Sequence, residues 1–217
     1  IRNVAVTGHG SSGKTTLVAG VLFDTGVTTR LTKVDKGNTV TDYDPDEVER
    51  KISINSAACF CEWKDSKINF IDTPGYSNFL WDTRTSLRAV DAGLVLVCGV
   101  AGVEVGTEKV WGMFEEFGLP RLVVINKLDR ENANFKRTLE SVQQFFGRQA
   151  VPVQLPIGEE KDFRGVVDLL SKKAVLFEKD ESGTFREEPV PAALQEEVER
   201  RNKELTEIIA EGDEKLM

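Results

Sequence analysis

The chain lacks the features that would place it in a membrane, on DNA or in an oxidising compartment. No apolar run among its 217 residues approaches the ~18 needed to span a bilayer. The longest candidate, Ala92 to Ala101, reads as a core strand, and no membrane association is expected. Cysteine is scarce: Cys59, Cys61 and Cys98 are the only three, and they show no metal-ligand spacing. On a strand, Cys59 and Cys61 fall on one face. They read as small, partly buried thiols in a reducing compartment, so a cytoplasmic protein is expected. Ile1 to Val6 runs straight into a glycine-rich loop, which leads to the expectation of no signal peptide or transit segment. Positive charge is also short. The formal net charge is −8, and nothing resembles the basic stripe of a nucleic-acid surface. No direct DNA binding is expected. Most of the acidic excess lies between Glu178 and Met217, where it fits either a solvated helix face or a basic protein partner. There is no internal repeat and no low-complexity segment.

What is present is ordinary globular composition, 40 % hydrophobic and 29 % charged, with a strand-then-helix rhythm. Asn3 to Val6 reads as a short buried strand and Lys14 to Thr25 as a helix, with Leu17, Val18, Val21 and Leu22 at helical spacing. Gly26 to Lys51 has no apolar periodicity and is expected to be a mobile loop that orders on ligand binding. Ile52 to Trp63 and Lys67 to Ile71 read as strands joined by a turn at Lys64 to Ser66. Asn78 to Val90 reads as a helix, and Gly93 to Val97 as a strand covered on both faces. Val105 to Phe117 is a helix ended by Gly118, Leu122 to Ile125 a buried strand, and Asn134 to Phe146 an amphipathic helix ended by Gly147. This rhythm predicts an α/β fold, a mostly parallel sheet with helices on both faces. After Pro152 the pattern changes to a second, strand-poor and acidic unit. Val166 to Asp168 and Ala174 to Phe177 read as strands, and Glu181 to Thr184 as a hairpin turn. Pro191 is placed at the first position of a long helix with Leu194, Val198, Leu205, Ile208 and Ile209 as its apolar stripe.

Three strings carry the chemistry. Gly8-His9-Gly10-Ser11-Ser12-Gly13-Lys14-Thr15, followed by Thr16, fits the phosphate-loop pattern G-x-x-x-x-G-K-[ST] between a strand and a helix. Glycines let backbone N–H groups approach phosphates closely, and the helix N-terminus faces the anion. Lys14 is expected to bridge the last two phosphates and the Thr15 hydroxyl to ligate Mg²⁺. Asp72-Thr73-Pro74-Gly75 ends a strand. Asp72 is placed to hold Mg²⁺ through a water, and Gly75 to offer its N–H to the terminal phosphate; alone, the string is also an ordinary turn. Asn126-Lys127-Leu128-Asp129 fits N-K-x-D. Its Asp129 carboxylate can accept from the guanine N1–H and amine, a donor pair that adenine lacks. Lys127 can pack over the base, and Asn126 can tie this loop to the phosphate loop. GTP or GDP is therefore the expected ligand.

With these strings the chain resembles the translational GTPases, and within them the elongation factor G family. Glu49-Arg50-Lys51-Ile52-Ser53-Ile54 is similar to that family's E-R-G-I-T-I. Gly102-Val103-Glu104 with Glu108-Lys109-Val110-Trp111 is similar to its G-V-x-x-x-[ST]-E-x-V-W, and Asn126 to Arg130 to its N-K-M-D-R. Leu155 to Gly158 with Phe163 to Leu169 resembles the opening of its inserted subdomain. The resemblance implies a P-loop NTPase domain over 1–150 and the start of an inserted α+β subdomain over 151–217. It also implies Ser53 as a Mg²⁺ ligand, action on the ribosome, and contact between the inserted helix and the basic ribosomal stalk protein. Glu196, Glu197, Glu199, Glu204, Glu207 and Glu211 line that helix. The family's final core strand is not read before Met217, so a fragment is expected.

The chain also departs from the family pattern. Tyr76 stands where the family has the His that positions the attacking water, and a phenol of pKa about 10 is no substitute for imidazole. Gly10 and Ser11 replace an aliphatic residue and Asp. Binding positions are kept while hydrolysis-assisting ones are altered, as in a divergent paralogous branch. Lys14, Gly75 and Tyr76 are the catalytic candidates, and hydrolysis is expected to be weakened or ribosome-dependent. A GTP-holding switch with negligible hydrolysis stands as the alternative. An ATPase or kinase is disfavoured by Asp129.

Overall fold

The structure is a computed structural model describing residues 1–178, 180 and 182–211. The chain divides into two compact units, Ile1–Lys127 and Leu128–Met217.

The first unit is a five-stranded sheet in the order β2-β3-β1-β4-β5. Its strands are β1 (Arg2–Gly8), β2 (Ala57–Trp63), β3 (Ser66–Asp72), β4 (Ala92–Cys98) and β5 (Arg121–Asn126). All neighbours are parallel except β2, which pairs antiparallel with β3 through a tight turn. The strands are apolar on two faces because helices cover both. Ala5 and Val95 face one layer with Val110 and Phe114 of α4 (Val105–Phe117), and with Leu80 of α3 (Leu80–Ser86). Their neighbours Val6 and Leu96 face the other with Val18 and Leu22 of α1 (Lys14–Asp24). Adjacent residues take opposite faces because strand side chains alternate. The expected α/β class with a mostly parallel sheet is what the chain forms.

Four expectations for this unit need correction. Gly26 to Lys51 is not structureless. It holds a 3₁₀ turn at Val34–Lys36 and a short helix, α2 (Pro45–Arg50). Asp44 caps α2, with Pro45 at the first helical position and Glu47 completing a capping box. The strand expected from Ile52 begins only at Ala57. Upstream, side chains rather than a neighbouring strand take the backbone donors: Glu47 Oε1 accepts from Ile54 N and Asn55 N, each at 2.9 Å, and Asp82 accepts from Ser56 N. The helix expected over Asn78 to Val90 is broken into 3₁₀ turns at Ser77–Phe79 and Leu87–Ala89 around α3. The hydroxyl-rich run there bonds back to the main chain, Thr83 to Pro74 O and Thr85 to Trp81 O. Finally, β5 is an edge strand rather than a buried one, and Leu122 is 61 % exposed.

The second unit is not strand-poor. It contains α5 (Phe135–Phe146), a four-stranded antiparallel sheet in the order β6-β7-β8-β9, and α6 (Gln195–Glu211). The strands are β6 (Gln154–Ile157), β7 (Gly165–Asp168), β8 (Lys173–Phe177) and β9 (Phe185–Pro189). The outer two are short, β6 with only Leu155 and Ile157 turned inward beside a proline and β9 exposed throughout, which hid them from a hydrophobic pattern. Of the expected turn Glu181 to Thr184, Glu181 lies outside the described residues; Glu178 N donates to Thr184 O at 3.0 Å. Pro191 does not open α6. It caps a 3₁₀ turn, Ala192–Leu194, that precedes the helix. Val198 and Leu205 are buried in the cluster with Leu155, Val167 and Leu169, and Leu194 packs on it, but Ile209 is half-exposed.

Candidate functional site

The parallel strands β1, β3, β4 and β5 end on one edge of the sheet, where Gly8, Asp72, Cys98 and Asn126 lie. The register sets Val6 opposite Asp72, Gly8 opposite Leu96 and Cys98 opposite Asn126. The carboxyl edge of an open α/β sheet is where ligands bind. Residues separated by over a hundred positions in the chain are brought together there.

The loop from Gly8 to Gly13 wraps back on itself, Ser12 N donating to His9 O at 3.3 Å, and passes into α1 at Lys14. Gly13 has φ of 99°, and a Cβ there would collide with Asn126 Nδ2. Only glycine meets both demands. Asn126 Nδ2 donates to Ser12 O at 2.9 Å, and Lys127 Nζ to Ser11 O at 2.6 Å. Lys127 itself takes φ of 61°, an unusual conformation for a bulky residue. Asp129, exposed, follows two residues later as part of the second unit.

His9, the only histidine, ties the loop to the start of α4. Its Nδ1 accepts from Gly106 N at 3.2 Å, so Nε2 carries the proton toward Glu104 Oε1 at 3.4 Å. Neither partner was identified from sequence. Thr16 is exposed on the first turn of α1, whereas Ser12 is buried with no partner for its hydroxyl.

Lys14 is buried, and its Nζ donates to His9 O at 2.9 Å and Gly8 O at 3.3 Å. Burial lowers its pKa to about 8, against the opposing pull of Asp72 and Asp42. Directly above it sits Gly75. A Cβ there would collide with Lys14 Nζ and lie 2.7 Å from Gly8 O. Thr73 holds this turn down, its hydroxyl donating to Val6 O at 2.9 Å.

Thr15 Oγ1 lies 3.0 Å from Ser53 Oγ, which donates to Asp42 Oδ1 at 2.8 Å. Ser53 has a single proton, so Thr15 is the donor in the first bond. Thr41 donates to Asp72 Oδ2 at 2.7 Å. The other oxygens, Asp72 Oδ1 and Asp42 Oδ2, are buried and have no partner. Burial raises both carboxyls, Asp72 to about 6, outweighing the bond from Thr41, the nearby Thr15 hydroxyl, whose proton the geometry gives to Ser53, and the charge of Lys14. Two buried carboxylates, each with one orphaned oxygen, and the hydroxyls of Thr15, Ser53 and Thr41 form a hard-oxygen set short of positive charge, which fits Mg²⁺. Among the described residues, no group of three or more His, Cys, Asp or Glu is arranged around a metal position. Thr41 and Asp42 were missed in the sequence because nothing in the expected loop distinguished them. Glu47 was missed too, although the D-P-D-E string at its helix start was legible.

Tyr76 lies across the loop. Its ring carbons stand 2.8 Å from where a Cβ of Gly10 would be, and its hydroxyl is 3.0 Å from Ser11 Oγ.

The family described as the elongation factor Tu GTP binding domain matches residues 1–211. Over its whole length the chain is 42 % identical to elongation factor G of Granulibacter bethesdensis and 39 % identical to elongation factor G of Thermotoga maritima, covering 32 % and 31 % of those proteins. A solved crystal structure from Thermus thermophilus matches the whole chain with a TM-score of 0.94 at 38 % identity, over 32 % of its own length. The chain therefore spans about a third of the length of the relatives it matches. With a family match over nearly every residue and a phosphate loop set at the carboxyl edge of a parallel sheet, the chain belongs to the elongation factor Tu GTP-binding domain family.

Proposed function

We propose that this chain binds GTP and GDP with Mg²⁺ and hydrolyses GTP as the nucleotide domain of an elongation factor G-like translation factor acting on the ribosome. The observation that carries the reading is the pair of bonds from Asn126 and Lys127 to the carbonyls of Ser12 and Ser11, which joins the guanine-reading string to the phosphate loop. In this reading the loop amides from His9 to Gly13 and the start of α1 bind phosphates, Lys14 neutralises the last two, and Asp129 selects guanine. Thr15, Ser53, Asp72 and, beside them, Asp42 would hold Mg²⁺, which neutralises charge on the phosphates when bound. Gly75, packed beside Lys14, would offer its N–H to a terminal phosphate.

Tyr76 offers no imidazole, which favours slow intrinsic hydrolysis, raised by the ribosome. The same lack favours, as a second reading, a switch that works by docking with little turnover. We take 1–150 as the nucleotide domain and 151–217 as the start of the inserted subdomain; the change from a parallel to an antiparallel sheet at Gln154 supports that division. We assign the activity to the cytoplasm; among the described residues no helix is long and apolar enough to cross a membrane. The acidic helix α6 suits a basic partner such as the stalk protein.

Isothermal titration with GTP, GDP and ATP tests the ligand. Comparable affinity for ATP overturns the guanine assignment. Single-turnover GTP hydrolysis by the full-length protein, with and without ribosomes, separates the hydrolase from the silent switch.

A further inference from the structure

Gly10, Ser11 and Tyr76, three positions at which the chain departs from the family pattern, touch one another. The three atoms nearest to a Cβ built on Gly10 all belong to the Tyr76 ring, at 2.8 to 3.0 Å. Gly10 does not have a positive φ, so its backbone would accept any residue. The ring is the nearest obstacle to a side chain. The phenol hydroxyl then pairs with Ser11 Oγ at 3.0 Å. Tyr76 is still 37 % exposed, so its ring meets Gly10 on one side and solvent on another. The residue before it, Gly75, is pressed on the Lys14 amine, and that amine is turned to the carbonyls of Gly8 and His9.

We propose that these residues form a latch: the Tyr76 ring closes on Gly10, its hydroxyl locks to Ser11, and the segment from Asp72 to Ser77 is thereby held down on the phosphate loop until a nucleotide phosphate takes Lys14. Tyr76 in this role is a positioning residue. The latch is autoinhibitory. A protein whose binding-competent form is only partly populated binds with its affinity reduced by that fraction. Loosening the latch therefore tightens binding. The inference rests on the nucleotide reading for its ligand but on packing alone for its existence.

Two measurements on the full-length protein test it. In the first, a non-hydrolysable GTP analogue is titrated with Mg²⁺. Tyr76→Phe and Ser11→Ala remove the same partly exposed hydrogen bond, so each is expected to tighten binding about two- to fivefold. The double variant should show no further gain. Weakened binding, or gains that multiply in the double variant, overturns the latch. A group with a merely structural role, when removed, lowers the melting temperature without raising affinity. In the second, the nucleotide-free protein is melted. Gly10→Ala should lower the melting temperature beside Tyr76 and leave it unchanged in a Tyr76→Ala background; an equal drop in both backgrounds refutes the contact. If the wild type binds no guanine nucleotide, the proposed function falls, and the melting cycle still decides whether the latch exists.

Discussion

Asp72→Asn should make the nucleotide-free chain more stable as the pH rises, at the expense of its metal site. Asp72 is 1 % exposed and one of its oxygens has no partner. Burial raises its pKa from 3.8 to about 6. A carboxyl raised in the folded state holds its proton longer than in the unfolded chain. It therefore favours folding at low pH, and that contribution is lost as pH climbs from the unfolded value through the folded one. A shift of about two units at 1.36 kcal/mol each corresponds to about 3 kcal/mol in full, of which about half is lost between pH 5 and pH 8. Asn is neutral throughout and can still accept from Thr41. Lys14 is coupled to Asp72, whose charge holds its pKa up at about 8, so the variant also lowers Lys14 and part of the gain toward pH 8 belongs to that amine. Asp42 lies in the same field, and the measured difference belongs to the pair. The assay is urea unfolding of wild type and variant at several pH values, with chelator and without nucleotide. The variant should gain on the wild type by about 1.4 kcal/mol from pH 5 to pH 8. A difference that does not change with pH refutes the claim that Asp72 is held uncompensated. Saturating Mg²⁺ and GDP should narrow the gap by stabilising the wild type alone.

Other perturbations probe separate parts of the site. Asp129→Ala removes a carboxylate expected to accept two hydrogen bonds from guanine, and GDP affinity by titration should fall about a hundredfold while ATP affinity stays level. Glu47→Gln places an amide against the Asp44 N–H, which the carboxylate accepts from at 3.2 Å. This should cost about 1–3 kcal/mol in urea unfolding and speed proteolysis between Asp42 and Ser56. On α6, Glu197, Glu204 and Glu207 are already paired with Arg200, Arg201 and Lys203. Neutralising Glu196, Glu199 and Glu211 instead should weaken binding to the basic stalk protein and flatten its salt dependence; unchanged binding removes that partner.

The elements built on strong local rules were legible in the sequence. β1, α1, β4 and α4 fall where apolar periodicity and glycine stops place them, because their side chains alternate between solvent or helix and the same sheet. The strings around Lys14, Asp72 and Asn126 were legible because phosphate and guanine chemistry demand fixed residue types at fixed spacing. β6 and β9 were not read, since edge strands of four or five residues are defined by the neighbour they pair with rather than by their own composition.

The sequence by itself therefore determined the sheet, the phosphate loop and the kind of ligand expected, because each rests on interactions within a few residues or on backbone conformations that only certain residues adopt. Tertiary structure alone decided how the loops meet: that Asp42 and Thr41 join Ser53 and Asp72, that Glu47 anchors the segment leading to Ser53, and that Tyr76 covers Gly10. Those contacts join residues far apart in the chain. Their energies come from burial and from partners that arrive only when the sheet has closed, and no local pattern in the chain records them.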